Sequence, residues 1–284
     1  MIRFENLKKS FRGTEVLKGL DLEISKGDRI ALVGSNGAGK TTMIRCLLGE
    51  YTYEGTVLVN DLVPRENRRE VLKRIGFVPQ LPPPLKMTVS QLLDFSSQIC
   101  DSDPQQMIDL IEKLGLSMED MNNRPFNKLS GGEKQKILIS IALGRDTDLL
   151  VLDEPAANLD PAARQVFFAM LAERLENTSM IISSHRLDEV AALVNRVVEM
   201  DRGRIVLNDH VADRTDMSSV LDCEIELHAA DEAFAKTVLT WDFQTLDDGV
   251  SWRGKVAGPD RLRFLGMLSR YTGLLKGIEM KEKD

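Results

Sequence analysis

The chain has 284 residues, of which 43% are hydrophobic and 29% charged, with a formal net charge of −7. Such values describe an ordinary globular protein with one large domain and a small appendage, and the acidic balance excludes non-specific attraction to nucleic acid or anionic lipid as the main function. The longest apolar runs, such as Ile137 to Leu143 and Leu149 to Leu152, fall far short of the roughly 18 to 20 residues that cross a bilayer.

Two strands are predicted at the start, Ile2 to Leu7 and Leu17 to Ile24, where apolar residues alternate with charged ones. Met1 to Asn6 holds no apolar stretch of signal-peptide length, so a cytoplasmic location is expected. Arg29 to Val33 is a short apolar run of buried-strand type, followed by a glycine-rich loop and a helix from Thr41 to Leu48. Strands continue at Thr56 to Val59 and Ile75 to Val78, and Pro79 to Pro84 then interrupts regular structure. From Val89 to about Asn127 the spacing of Met107, Leu110, Ile111 and Leu114 is helical, which predicts an inserted helical subdomain over about 85–145. Leu149 to Leu152 and Met180 to Ser183 return to buried strands around a helix from Ala162 to Leu175, so a parallel sheet with helical crossovers is implied. Arg196 to Met200 and Gly203 to Leu207 read as a hairpin. A domain boundary is expected at residue 213, with 214–284 forming a small α+β domain of βαββαβ order. Cys46, Cys100 and Cys223 lack paired spacing and read as reduced structural thiols.

Gly34-Ser35-Asn36-Gly37-Ala38-Gly39-Lys40-Thr41-Thr42 matches a phosphate loop and lies between a buried strand and a helix, where that loop works. Glycines allow backbone N–H groups to close around phosphates, and the helix dipole adds positive potential. Lys40 would reach the β- and γ-phosphates of ATP and the Thr41 hydroxyl would ligate Mg²⁺. Leu149 to Glu154 is an apolar strand ending in two carboxylates, which places both at the carboxyl edge where α/β sheets bind ligands. Asp153 suits Mg²⁺, and Glu154 suits the general base that polarises the attacking water. These two elements define a phosphate-loop NTPase and leave kinases, small GTPases and helicase-like motors open.

Leu129-Ser130-Gly131-Gly132-Glu133-Lys134-Gln135 forms a second anion nest at a helix start. It resembles the signature sequence of the ATP-binding-cassette family, and the resemblance extends over residues 1 to about 210. The family fold this implies is an α/β phosphate-loop NTPase with an antiparallel β subdomain and a helical subdomain. The resemblance also implies that Ser130, Gly131, Gly132 and Glu133 of one copy cover the γ-phosphate held by the other, in a head-to-tail homodimer. Phe11 matches the aromatic that stacks on adenine, with a packed core Phe as the plainer alternative. Gln80 matches the glutamine that senses Mg²⁺ and the attacking water, with a plain loop amide as its alternative. Asp160 matches the residue that crosses the dimer interface and is equally placed to cap the helix beginning at Pro161. His185 matches the switch histidine that contacts the γ-phosphate.

A single cassette without membrane spans implies separate transmembrane permease subunits as partners, docking near Pro82 to Thr88 and the following helix. The implied location is peripheral, on the inner face of the cell membrane, with membrane contact only through the permease and no nucleic acid partner. The pattern looks like exporter-type ATPase subunits, including the one that serves copper-site maturation of nitrous oxide reductase. A soluble ATPase of an assembly system, such as iron–sulfur cluster biogenesis, is the alternative. The domain after residue 213 is expected to regulate or to stabilise the dimer. Cys223 and His228 fall on opposite faces of a regular strand and so cannot easily share a metal.

Overall fold

The computed structural model describes residues 1–174, 178–184, 187–210, 220–247, 249–257, 261–268, 271 and 273–282. His185 and the boundary at residue 213 lie outside the described residues. The chain divides into two compact units, one of Met1–His185 and Ala192–His210, the other of Arg186–Ala191 and Val211–Asp284.

In chain order the first unit contains β1 (Ile2–Phe11), β2 (Thr14–Ile24), β3 (Arg29–Val33), α1 (Lys40–Leu47), β4 (Glu54–Val59), α2 (Arg68–Lys73) and β5 (Ile75–Val78). A helical stretch follows: α3 (Val89–Cys100), α4 (Pro104–Lys113), α5 (Met118–Met121) and α6 (Gly131–Leu143). Then come β6 (Leu149–Asp153), α7 (Pro161–Ala172) and β7 (Ser179–Ser183). The short helix α8 (Leu187–Val190) belongs to the second unit, and β8 (Arg196–Asp201) and β9 (Arg204–His210) return to the first.

Two sheets build the first unit. An antiparallel sheet of order β2-β1-β4 turns Ile2, Phe4, Leu20, Leu22 and Ile24 inward, as their alternation predicts. The larger sheet runs β5-β6-β7-β3-β8-β9 and is parallel except for β9. Its strands β6 and β7 are buried at every position, which is why they read as unbroken apolar runs. One core joins Met43, Ile44 and Leu47 of α1 to Ile30, Leu32, Val151, Ile181 and Val198 of this sheet. The helical stretch has a core of its own, with Leu92, Met107, Ile111, Phe126 and Ile137 all buried. Its helices start on local capping: Thr88 and Gln91 form a capping box for α3, and Asp103 caps α4 ahead of Pro104.

The second unit contains, after α8, β10 (Val220–Leu227), α9 (Glu232–Leu239), β11 (Gln244–Asp247), β12 (Ser251–Ala257), α10 (Arg261–Leu268) and β13 (Leu275–Glu282). This is the expected βαββαβ order, folded into an antiparallel sheet β11-β12-β10-β13. One face carries Cys223, Ile225, Trp252 and Val256 against Phe234, Phe243 and Phe264, with the rings of Phe243 and Phe264 stacked at 5.0 Å. The other face is charged, pairing Glu224 with Arg253 and Glu226 with Lys276. On α10, Phe264, Gly266, Met267 and Leu268 are buried among the described residues. Cys223 is buried while His228 is exposed. Burial pushes the Cys46 thiol up to about 11 and that of Cys223 to about 12, so both stay protonated at neutral pH.

One buried ion pair ties the two sheets of the first unit. Arg196 on β8 donates to Asp28 at 2.6 Å and to the Glu23 carbonyl at 2.8 Å, with both side chains nearly inaccessible. Asp28→Ala leaves the guanidinium without its anion, so urea unfolding should show a loss of about 3 kcal/mol or more. A loss below about 1 kcal/mol, the range of an exposed pair, would show that the pair does not bind the sheets together.

Candidate functional site

The phosphate loop leaves the carboxyl end of β3 and enters α1 at Lys40. Its course depends on glycine. Gly34 has φ of 141°, and a Cβ there would lie 2.2 Å from the Met200 carbonyl oxygen; Gly39 has φ of 108°, and a Cβ there would lie 2.8 Å from Leu17. The turn between β8 and β9 braces the loop from outside, where the Gly203 N–H donates to the Ala38 carbonyl at 2.9 Å.

Within the loop the Lys40 side chain is buried, and its ammonium donates to the carbonyls of Gly34 at 2.6 Å and Ser35 at 3.3 Å. Burial lowers its pKa below the ordinary lysine value, opposed first by Glu154 and then by Asp153. A cation is thus kept out of water with two carboxylates nearby.

Those carboxylates come from the end of β6. Asp153 pairs in register with Ser183 on the neighbouring β7, and the Ser183 hydroxyl donates to Asp153 Oδ1 at 2.6 Å. The same hydroxyl accepts from the Glu154 N–H at 3.0 Å. Glu154 has φ of 49°, in the left-handed region that a non-glycine residue occupies only when its surroundings enforce it. This turn separates the two acids, leaving Asp153 buried in the sheet and Glu154 partly exposed.

Together these parts line a cleft of about 320 Å³: Val16, Ser35, Asn36, Gly37, Ala38, Gly39, Lys40, Thr41, Thr42, Gln80, Asp153 and Glu154. Gln80 reaches it from the loop two residues beyond β5. Oxygen donors dominate the wall formed by Thr41, Gln80 and Asp153. One carboxylate with neutral oxygens suits Mg²⁺, which binds through few protein ligands alongside substrate phosphates.

Other expected residues stand apart from this cleft. Phe11 is not among its lining residues, since its ring packs edge-on against Tyr51 at 5.1 Å and lies 4.7 Å under the Lys9 ammonium. Val16 on β2 lines the cleft instead. Ser130, Gly131, Gly132 and Glu133 open α6 and do not line the cleft of their own chain. There the Ser130 hydroxyl accepts from the Glu133 N–H at 3.2 Å, and Glu133 accepts from the Ser130 N–H at 2.7 Å. The Ser130 N–H and the Arg124 guanidinium hold the Glu133 carboxyl below the usual carboxylate range. Asp160 caps α7 through the Ala163 N–H at 2.9 Å and pairs with Lys136 at 2.9 Å.

Val16, Ser183 and Gly203 were beyond sequence reasoning as site residues. Ser183 depends on the register that sets it beside Asp153, and Val16 and Gly203 depend on packing between distant segments.

A glycine loop closing on a buried lysine beside paired carboxylates at a parallel sheet's edge defines a phosphate-loop nucleotide-hydrolysing protein. The comparisons narrow this class. Residues 17–157 match the ABC transporter family. The arginine transport ATP-binding protein ArtM of Bacillus subtilis (strain 168) is 34% identical over 217 residues, covering 72% of this chain and 90% of its own. The Nod factor export ATP-binding protein I of Burkholderia lata is 31% identical over 304 aligned residues, covering 99% of this chain and 98% of its own. Among solved structures, an ATP-binding cassette in its ADP conformation superposes with a TM-score of 0.59 at 26% identity, over 74% of this chain and 91% of that one. A dimeric cassette bound to ADP and Pi in a post-hydrolysis state superposes with a TM-score of 0.67 at 20% identity, over 75% of this chain and all of that one. The chain belongs to the ABC transporter family, as an ATP-binding and hydrolysing subunit.

Ser183→Ala removes the hydroxyl that fixes both Asp153 and the Glu154 backbone. Steady-state ATPase assays should show kcat falling about 10-fold or more, with ATP binding by titration little changed. An unaltered kcat would show that Asp153 and Glu154 hold their geometry without Ser183.

Proposed function

We propose that this subunit drives export through separate transmembrane permease subunits, working as a head-to-tail homodimer on the inner face of the cell membrane. The observation that carries the proposal is the incomplete cleft: Lys40, Asp153 and Glu154 converge within one chain, while the anion nest at Ser130 to Glu133 opens elsewhere on that chain. A second copy supplies the missing nest.

In this reading the Lys40 ammonium exchanges its bonds to Gly34 and Ser35 for the β- and γ-phosphate oxygens of ATP. Backbone N–H groups from Ser35 to Thr42 wrap the phosphates at the α1 N-terminus. Thr41, Asp153 and Gln80 would hold Mg²⁺, which when bound neutralises charge on the β- and γ-oxygens. Glu154 takes the proton of the attacking water, with Gln80 and His185 completing the γ-phosphate surroundings. Ser130, Gly131 and Gly132 of the partner copy close over the γ-phosphate, so ATP binding closes the dimer and hydrolysis releases it. Val16 supplies an apolar contact in the cleft, and Phe11, exposed beside Tyr51, offers its ring to the adenine.

The permease reading rests on exposed apolar side chains next to Gln80 and on α3. Leu81, next to Gln80, is 77% exposed, and Phe95 and Ile99 on one face of α3 are 52% and 43% exposed. The full-length likeness to a Nod factor export protein includes the second unit and supports export as the direction. Transport names among the relatives disfavour the iron–sulfur assembly alternative. Copper-site maturation of nitrous oxide reductase is the narrower proposal, resting on the exporter-type sequence pattern. For 214–284 the proposed role is to regulate or stabilise the dimer.

Glu154→Gln should bind ATP, lose nearly all turnover and accumulate as an ATP-bound dimer that co-purifies from membranes with integral membrane subunits. Lys40→Ala should fail to bind ATP and remain monomeric under the same conditions. Normal hydrolysis by Glu154→Gln would remove Glu154 from its role, and recovery without any integral membrane partner would refute the permease.

A further inference from the structure

Gln135 lies in the second turn of α6 with its side chain wholly buried. Its Nε2 donates to the Pro155 carbonyl at 3.0 Å, while its Oε1 is buried without a hydrogen-bond partner. An unpartnered amide oxygen in an apolar setting is a cost that an apolar side chain of the same size would not carry. The bond to Pro155 is therefore the feature that a glutamine adds here. Pro155 directly follows Glu154, and its ring fixes its own φ. Holding its carbonyl orients the proline unit and with it the ψ of Glu154. On the opposite side, Ser183 holds the Glu154 N–H through both its hydroxyl and its carbonyl oxygen. The left-handed turn at Glu154 is thus clamped between β7 and α6.

Two further contacts join the same face of α6 to the same loop. Gly132, three residues before Gln135, lies so close to the loop that a Cβ there would be 3.1 Å from the Asn158 carbonyl oxygen. Lys136, four residues after Gly132, pairs with Asp160 at 2.9 Å. The helix that opens at Ser130 and the loop from Glu154 to Asp160 therefore form one braced piece.

We propose that Gln135 is a positioning residue for Glu154, holding the Pro155 carbonyl so that the placement of α6 sets the placement of the catalytic carboxylate. This rests on the dimer reading, in which the α6 N-terminus faces the nucleotide of the other copy. A shift of α6 on engaging that nucleotide is then passed through Gln135 to the chain's own Glu154.

The test uses the full-length chain with Gln135→Met, which keeps length and apolar volume but cannot donate. Its kcat for ATP should fall about 10- to 100-fold with KM within about twofold of wild type. Its melting temperature should stay within about 5 °C of wild type, because the cost of the unpartnered oxygen is removed while the Pro155 carbonyl loses its donor. In ATP it should accumulate the same nucleotide-bound dimer as Glu154→Gln. Gln135→Leu, apolar and without a donor, is the second variant should the first not fold. A kcat near wild type in a folded variant overturns the proposal, as does a kcat loss that follows a fall in melting temperature beyond that range. If wild type does not hydrolyse ATP, or Glu154→Gln forms no ATP-bound dimer, the dimer reading fails instead, and the Gln135 variants are not needed to show it.

Discussion

A lysine ammonium removed from water organises this molecule. Burial disfavours the Lys40 charge, and the opposing pull of Glu154 and Asp153 sustains it. The surrounding loop can accommodate it only because Gly34 and Gly39 adopt backbone angles denied to other residues and lie against Met200 and Leu17. Until a polyanion arrives, the loop's own carbonyls solvate the ammonium. The parallel sheet sets the distances: β3 delivers the loop, β6 delivers the acids, and β7 between them supplies the serine that holds those acids in place.

The chemistry of one chain was largely legible from its residues. Short, nearly continuous apolar runs are what buried parallel strands require, and the expected strands β3, β5, β6, β7 and β8 form. Edges were less legible. Strand β1 continues to Phe11 and β2 begins at Thr14, although Lys8, Lys9 and Ser10 carry no apolar alternation, because antiparallel pairing there rests on backbone hydrogen bonds. The short helix at Leu187–Val190 groups with the second unit, a choice made by packing that no local pattern encodes. Phe11 is read from its position as an adenine contact, and what its local pattern does not show is the aromatic neighbour and the cation beside its ring. Ser183 acts through strand register, and Gln135, although it ends the signature-like stretch, acts through a single buried hydrogen bond that the motif does not announce.

The residues that do not reach the cleft are as informative as those that do. Ser130 and Glu133 spend their side chains on each other at the start of α6, and Asp160 spends its own on a helix cap and on Lys136. What α6 offers outward is therefore its backbone N–H groups and dipole, which suit a phosphate supplied from outside the chain. In the proposed head-to-tail dimer, the cleft of one copy and the Ser130–Glu133 nest of the other would together complete the hydrolytic site.

Mixing two inactive variants tests that division most directly. Lys40→Ala destroys the phosphate loop, and Ser130→Arg blocks the nest; in a mixed head-to-tail dimer one composite site carries both defects and the other carries neither. The account predicts that each variant alone hydrolyses ATP at background level and that the mixture recovers hydrolysis with ATP-dependent dimer formation. Hydrolysis by Ser130→Arg alone at the wild-type rate, or no recovery in a mixture shown to form mixed dimers, would contradict it.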